Sequence, residues 1–169
     1  ITFGGNADVA GVTSQSGVIS FDGDATASGA ISASGDITFG GTADVAGVTS
    51  TGGVISFTGD AKASGTISAS GDITFDGNAD VAGVTSQSGV VSFTGDATAS
   101  GAILADGDIT FGKNADVAEV TSQSGAISFT GDATASGTIS ASGNITFGGN
   151  ADVAGVTSQS GVISFDGDA

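Results

Sequence analysis

Apolar and polar residues alternate along this chain, and one phase of that alternation persists for most of its length. Every phenylalanine is odd-numbered: Phe3, Phe21, Phe39, Phe57, Phe75, Phe93, Phe111, Phe129, Phe147 and Phe165. Every isoleucine is odd too, from Ile1 to Ile163, and every aspartate is even, from Asp8 to Asp168. Successive side chains of a β-strand point to opposite faces. A constant parity therefore predicts one inner and one outer surface along the whole chain. Hairpin turns would scramble the phase, whereas a coil with even-numbered sides preserves it.

The repeat is nested. Its shortest unit is six residues long, apolar–any–apolar–any–Gly–any, and Gly5, Gly11, Gly17, Gly23, Gly29 and Gly35 begin the series. Lys113 and Glu119 break it. Glycine accepts close backbone approaches that a Cβ would block, so each one marks a corner. Three hexads make an 18-residue coil, which places Ile1, Ile19 and Ile37 in one column and the phenylalanines in the next. The fold predicted is all-β: a single-stranded triangular β-solenoid with 18 residues per coil and about nine coils. Successive coils differ, so the true unit is 36 residues: Thr13 and Gln15 of one coil face Ile31 and Ala33 of the next. Residues 145–169 repeat residues 1–25 without a change. That identity implies a superrepeat of 144 residues. Residues 1–169 are expected to be one continuous solenoid segment, a window of a longer array.

Rival folds fail on period. Glycine every six residues would cost a helix about 1 kcal/mol at each position. Collagen needs glycine every third residue and proline, and this chain has no proline. Stacked identical residues also suit intermolecular cross-β, which leaves that arrangement as the serious competitor.

The stretch 28–41, SGAISASGDITFGG, and the hexad that runs through the whole chain resemble the hexapeptide repeats of triangular β-helix proteins. The texture is similar to that of the polymer-forming bactofilins and of the β-helical stalks of phage fibres and surface adhesins. The resemblance implies a scaffold built from stacked coils. Hexapeptide acyltransferases use a histidine, and this chain has none, so their activity is not implied.

Charge narrows the partners. The net charge is −16, with only Lys62 and Lys113 as cations. Neutralising nucleic-acid phosphates requires clusters of Lys or Arg, and anionic membranes are disfavoured for the same reason. No apolar run is long enough for a transmembrane helix. His, Cys, Tyr and Trp are all absent, which removes most catalytic side chains. Acid pairs such as Asp22 with Asp24 recur along an open surface, unlike a single active site. No enzyme activity and no cofactor are expected.

Calcium is the one candidate ligand. Its candidate ligands are Asp8, Asp24, Asp44 and Asp60, within an oxygen-rich strip of Asp, Asn and Thr. The competing reading is a solubilising stripe in which Asn and Thr separate like charges. Columns of Thr and Ser, such as Thr2, Ser20 and Thr38, suggest a hydroxyl lattice of the kind that binds ice. Valines at even positions follow two sets of corners: Val12, Val48, Val84, Val120 and Val156 in one, Val18, Val54, Val90 and Val162 in the other. Parity points them outward as apolar ridges, suited to lateral contact between rods. The alternative is that post-corner valine tucks over the edge of its own core. By the same parity Thr13 and Gln15 point inward, unless that side reverses its facing in alternate coils.

The function expected is a structural component of an extracellular or cell-surface fibre, filament or adhesin stalk, self-associating end to end and laterally. The alternative is a surface that presents a ligand-binding lattice, either ice-binding or calcium-dependent adhesive.

Overall fold

A computed structural model describes residues 1–168. They form a β-solenoid of parallel stacked coils, with no helix among the described residues. Two ten-stranded sheets run side by side along the rod. The first stacks short strands, from Thr2–Phe3, Ile19–Phe21 and Ile37–Phe39 to Ile163–Phe165. Its register holds at 18 residues throughout, with Ile37 opposite Ile55 and Phe39 opposite Phe57.

The second sheet is wider. Its strands alternate in length: Ala25–Ala33 has nine residues and Ala43–Ser50 has eight, and the pattern continues to Ala151–Ser158. The second and third sides of the expected triangle thus share one hydrogen-bonded sheet. Gly29 lies inside a strand, not between strands. Only in the first coil is the side split, into Ala7–Val9 and Val12–Ser14, both paired with Ala25–Ala33.

The core follows from β geometry. Phenylalanine rings stack along the rod with centroids 4.6–5.1 Å apart and planes within 6° of parallel. Strands in a sheet are spaced about 4.7–4.9 Å apart, so ring stack and backbone ladder share one spacing. On the wider sheet, even coils bury Ala27 and Ile31, whereas odd coils bury Val45 and Val48. The two pairs differ by a single side-chain carbon, so both kinds of coil fill a similar interior space.

Those pairs expose a departure from the predicted lattice. Val45 lies opposite Ala27, eighteen residues back, but Val48 lies opposite Ile31 and Ser50 opposite Ala33. On the other side Val48 meets Ile67. Ser28 and Gly29 thus face the single residue Ala46, which makes a bulge. The residue missing from the odd coil reappears at the following corner, where Thr51–Val54 spans the turn that Ser34–Asp36 makes below it. The coil stays 18 residues long, but one residue has moved from one corner to the next.

Parity inverts over that stretch. Val48, Val84 and Val120 are 1%, 0% and 0% exposed, and Val12 and Val156 pack partly buried against the same core. These five valines are therefore not an outward ridge, because the bulge turns even positions inward. Thr13, Gln15, Gln87, Gln123 and Gln159 are all exposed, so this side reverses its facing in alternate coils, the second of the two arrangements that parity left open.

Candidate functional site

The outer surface is a set of columns, and two corners carry most of its polar chemistry. At the first corner stand Asn6, Asp24, Thr42, Asp60, Asn78, Asp96, Asn114, Asp132, Asn150 and Asp168, one per coil. The backbone N–H here has left the sheet ladder and needs a partner. The side chain one coil below supplies it. Asp24 N–H donates to Asn6 Oδ1 at 3.0 Å, Thr42 N–H to Asp24 Oδ1 at 2.9 Å and Asn78 N–H to Asp60 Oδ1 at 2.8 Å. The series continues to Asp168, whose N–H donates to Asn150 Oδ1 at 3.2 Å. Thr42 interrupts it, since the Asp60 N–H has no such cap.

The preceding glycine makes room for this ladder. A Cβ on Gly41 would lie 2.6 Å from Asp24 Oδ1 and 2.7 Å from Asp24 N. Gly–Asx is thus a stacking motif: the glycine clears the space that the side chain below must enter. This role was not anticipated from sequence, although the recurrence of Gly immediately before Asx at 18-residue intervals signals it.

A second ladder runs along the third corner. Asp36, Asp72 and Asp108 accept from the N–H of Val54, Val90 and Ala126 at 3.0, 3.0 and 2.8 Å. Asn144 does the same for Val162 at 2.9 Å. Beneath this corner, Ser50, Ser86 and Ser122 are buried. Ser50 Oγ donates to Gly35 O at 2.9 Å and accepts from Gly53 N–H at 3.0 Å. The longer turn of the odd coil is pinned by that inward serine.

The four calcium candidates fall into two columns. Asp24 and Asp60 each accept a backbone N–H through Oδ1 in the first ladder, and Asp24 Oδ2 also accepts from Asn6 Nδ2 at 3.5 Å. Asp8 and Asp44 belong to the neighbouring outer column, with Thr26 between them and Lys62 beyond Asp44. An open groove separates the columns; Asp60, Lys62, Asn78, Asp80 and Asp96 line it over Ala61 and Ala79. Among the described residues, no three acidic, histidine or cysteine side chains converge as a metal-holding group.

The second valine set lies at the surface. Val18, Val54, Val90 and Val162 are 46%, 38%, 37% and 67% exposed. They alternate along the corner with Asp36, Asp72, Asp108, Ala126 and Asn144. Hydroxyls form two further outer columns. One follows the first sheet, where Thr2 pairs with Ser20 and Ser20 with Thr38. The other follows the shifted register of the wider sheet, through Thr13, Ser32, Thr49, Ser68 and Thr85 until Leu104 interrupts it. Among the described residues no helix is long and apolar enough to cross a membrane.

No family model matches the chain, and no curated protein or solved structure shows significant similarity to it.

Proposed function

We propose that this chain is a structural rod, a segment of an extracellular or cell-surface fibre, filament or adhesin stalk. The observation that carries the reading is the unbroken pairing of every coil with its neighbours in two parallel ladders, reinforced at the corners by Asp and Asn side chains that accept from the backbone of the next coil. These interactions link successive coils along the rod. Self-association is part of the proposal: coils stack end to end, and the exposed ridge of Val18, Val54, Val90 and Val162 packs rod against rod. The charge of −16 makes nucleic acid and anionic lipid poor partners.

Electron microscopy of the native full-length protein tests the proposal. Straight rods that lengthen by about 4.8 Å for every 18 residues of repeat are expected. Compact particles without an axial repeat would refute it.

The ligand-presenting alternative has one observation in its favour, the two outer hydroxyl columns. Thermal hysteresis of the purified protein measures ice binding, and a calcium-dependent rise in melting temperature, absent with magnesium, measures the adhesive version.

A further inference from the structure

Four aspartates are followed directly by glycine: Asp22, Asp76, Asp106 and Asp166. Glycine leaves its own amide nitrogen sterically open to the preceding side chain. Whether that nitrogen is free to react differs between these sites. At Asp22 and Asp76 the chain turns out of the first sheet. Their own N–H groups donate to Phe3 O and Phe57 O, each at 2.9 Å, and the following Asp24 N–H donates to Asn6 Oδ1 at 3.0 Å. Between these bonds the N–H groups of Gly23 and Gly77 have no partner among the described residues, and Asp22 and Asp76 are exposed. Asp106 lies at a different corner. There the Gly107 N–H donates to Gly89 O at 3.0 Å, and this backbone bond is the difference: both carboxylates accept from a hydroxyl, Asp106 Oδ1 from Ser124 Oγ at 3.1 Å and Asp22 Oδ1 from Ser20 Oγ at 3.3 Å.

We propose that Asp22 and Asp76 are sites of spontaneous aspartate isomerisation in the folded rod, and that Asp106 is protected. The amide nitrogen of Gly23 attacks Cγ of Asp22. A C–N bond forms, a carboxyl C–O bond breaks, and the displaced oxygen leaves as water with the amide proton and the carboxyl proton. The product is a five-membered succinimide. Water then adds at the main-chain carbonyl and breaks its bond to nitrogen, which leaves a β-linked isoaspartyl residue of unchanged mass. No oxidant or other reagent is required. The main chain is then one methylene longer at that corner, which shifts Asp24 N–H away from Asn6 Oδ1 and disturbs the ladder where the coil enters its wider sheet. Asp166 holds the same place, with its N–H on Phe147 O at 2.8 Å, and falls under the same expectation; the remaining coils carry Gly or Thr there, as at Gly40 and Thr58, where this chemistry cannot occur.

The test is to age the intact folded protein in ¹⁸O-labelled water at neutral pH, digest it, and locate isoaspartyl residues by electron-transfer fragmentation. Label should enter at Asp22 and Asp76 at least roughly fivefold faster than at Asp106, the factor expected if one hydrogen bond must open first. In denaturant the three sites should react at similar rates, which separates the effect of the fold from that of the flanking residues. Asp76→Thr, which copies Thr58 and Thr94, should fold normally and lose label at that position alone. Equal labelling of all three sites in the folded protein would overturn the proposal, as would labelling at Asp22 and Asp76 no faster than at Asp24.

Discussion

Val48 packs into the core beside Ile31, seventeen residues back, while Val54, six residues further on, stands exposed at the next corner. Both are valines at even positions after a glycine. The one-residue bulge opposite Ala46 separates their fates, and it makes a sharp comparison available. Val84→Ala should cost about 2 kcal/mol, since the side chain is fully buried. Val90→Ala should change stability by no more than about 0.5 kcal/mol. Urea denaturation of the two variants measures both, and equal losses would contradict the register shift.

The Asx ladder predicts opposite effects at two positions. Asn78→Ala removes the acceptor for Asp96 N–H and should destabilise by about 1 kcal/mol, as loss of a capping side chain does at a helix end. Thr42→Asn restores the acceptor missing beneath Asp60 and should raise the melting temperature. A drop with Thr42→Asn would show that the corner N–H groups are satisfied another way.

Two residues replace lattice glycines, and the structure treats them differently. Glu119 pairs with Ala102 at an outward position. A Cβ on its counterparts Gly47 and Gly83 would sit 3.3 and 3.2 Å from the nearest carbonyl oxygen, a distance that small adjustments relieve. Lys113 stands where a Cβ on Gly41 or Gly131 would approach the adjacent coil to 2.6 Å. Lys113→Gly should therefore stabilise the rod despite removing a cation from an acidic chain, while Glu119→Gly should change stability by no more than about 0.5 kcal/mol. Thermal unfolding of the two variants side by side is the check, and a Lys113→Gly protein that melts lower than its parent would refute the steric account.

Burial and charge should separate on one coil. Phe75→Ala opens the ring stack between Phe57 and Phe93 and should cost about 3–5 kcal/mol. Asp80→Ser on the exposed outer column, where Lys62 and Thr98 stand on either side, should change stability by no more than about 0.5 kcal/mol. Raising the ionic strength to about 0.15 M shortens the range of repulsion among the acidic columns, so the parent protein, with its net charge of −16, should melt higher in salt. A salt-independent melting temperature would show that the acidic columns do not strain the fold.

Much of this architecture is legible in the residues themselves. Ile37 and Phe39 repeat at 18 with one parity because their side contains no bulge, so a simple alternation describes it completely. Parity alone leaves the facing of this side open in the odd coils, because a residue moved between corners leaves the period intact. Its trace is local: Val48 and Ser50 carry the small and apolar character at even positions, while Thr49 and Thr51 carry the polar character at odd ones. The polar corners were read as a charged stripe or a calcium strip. Their capping role depends on an N–H left unpaired at the turn, and composition does not reveal which amides leave a ladder.

The moved residue also sets how such a rod can change its length. An eight-residue strand fits against nine-residue neighbours on both sides, so coils of the two types must alternate. Duplicating or deleting a single coil would place two of one type together and leave Val48-like side chains without the Ile31-like partners they are shaped against. Recombination within the gene is then tolerated only in cassettes of two coils, and a family of rods derived from this sequence should come in lengths that differ by whole cassettes.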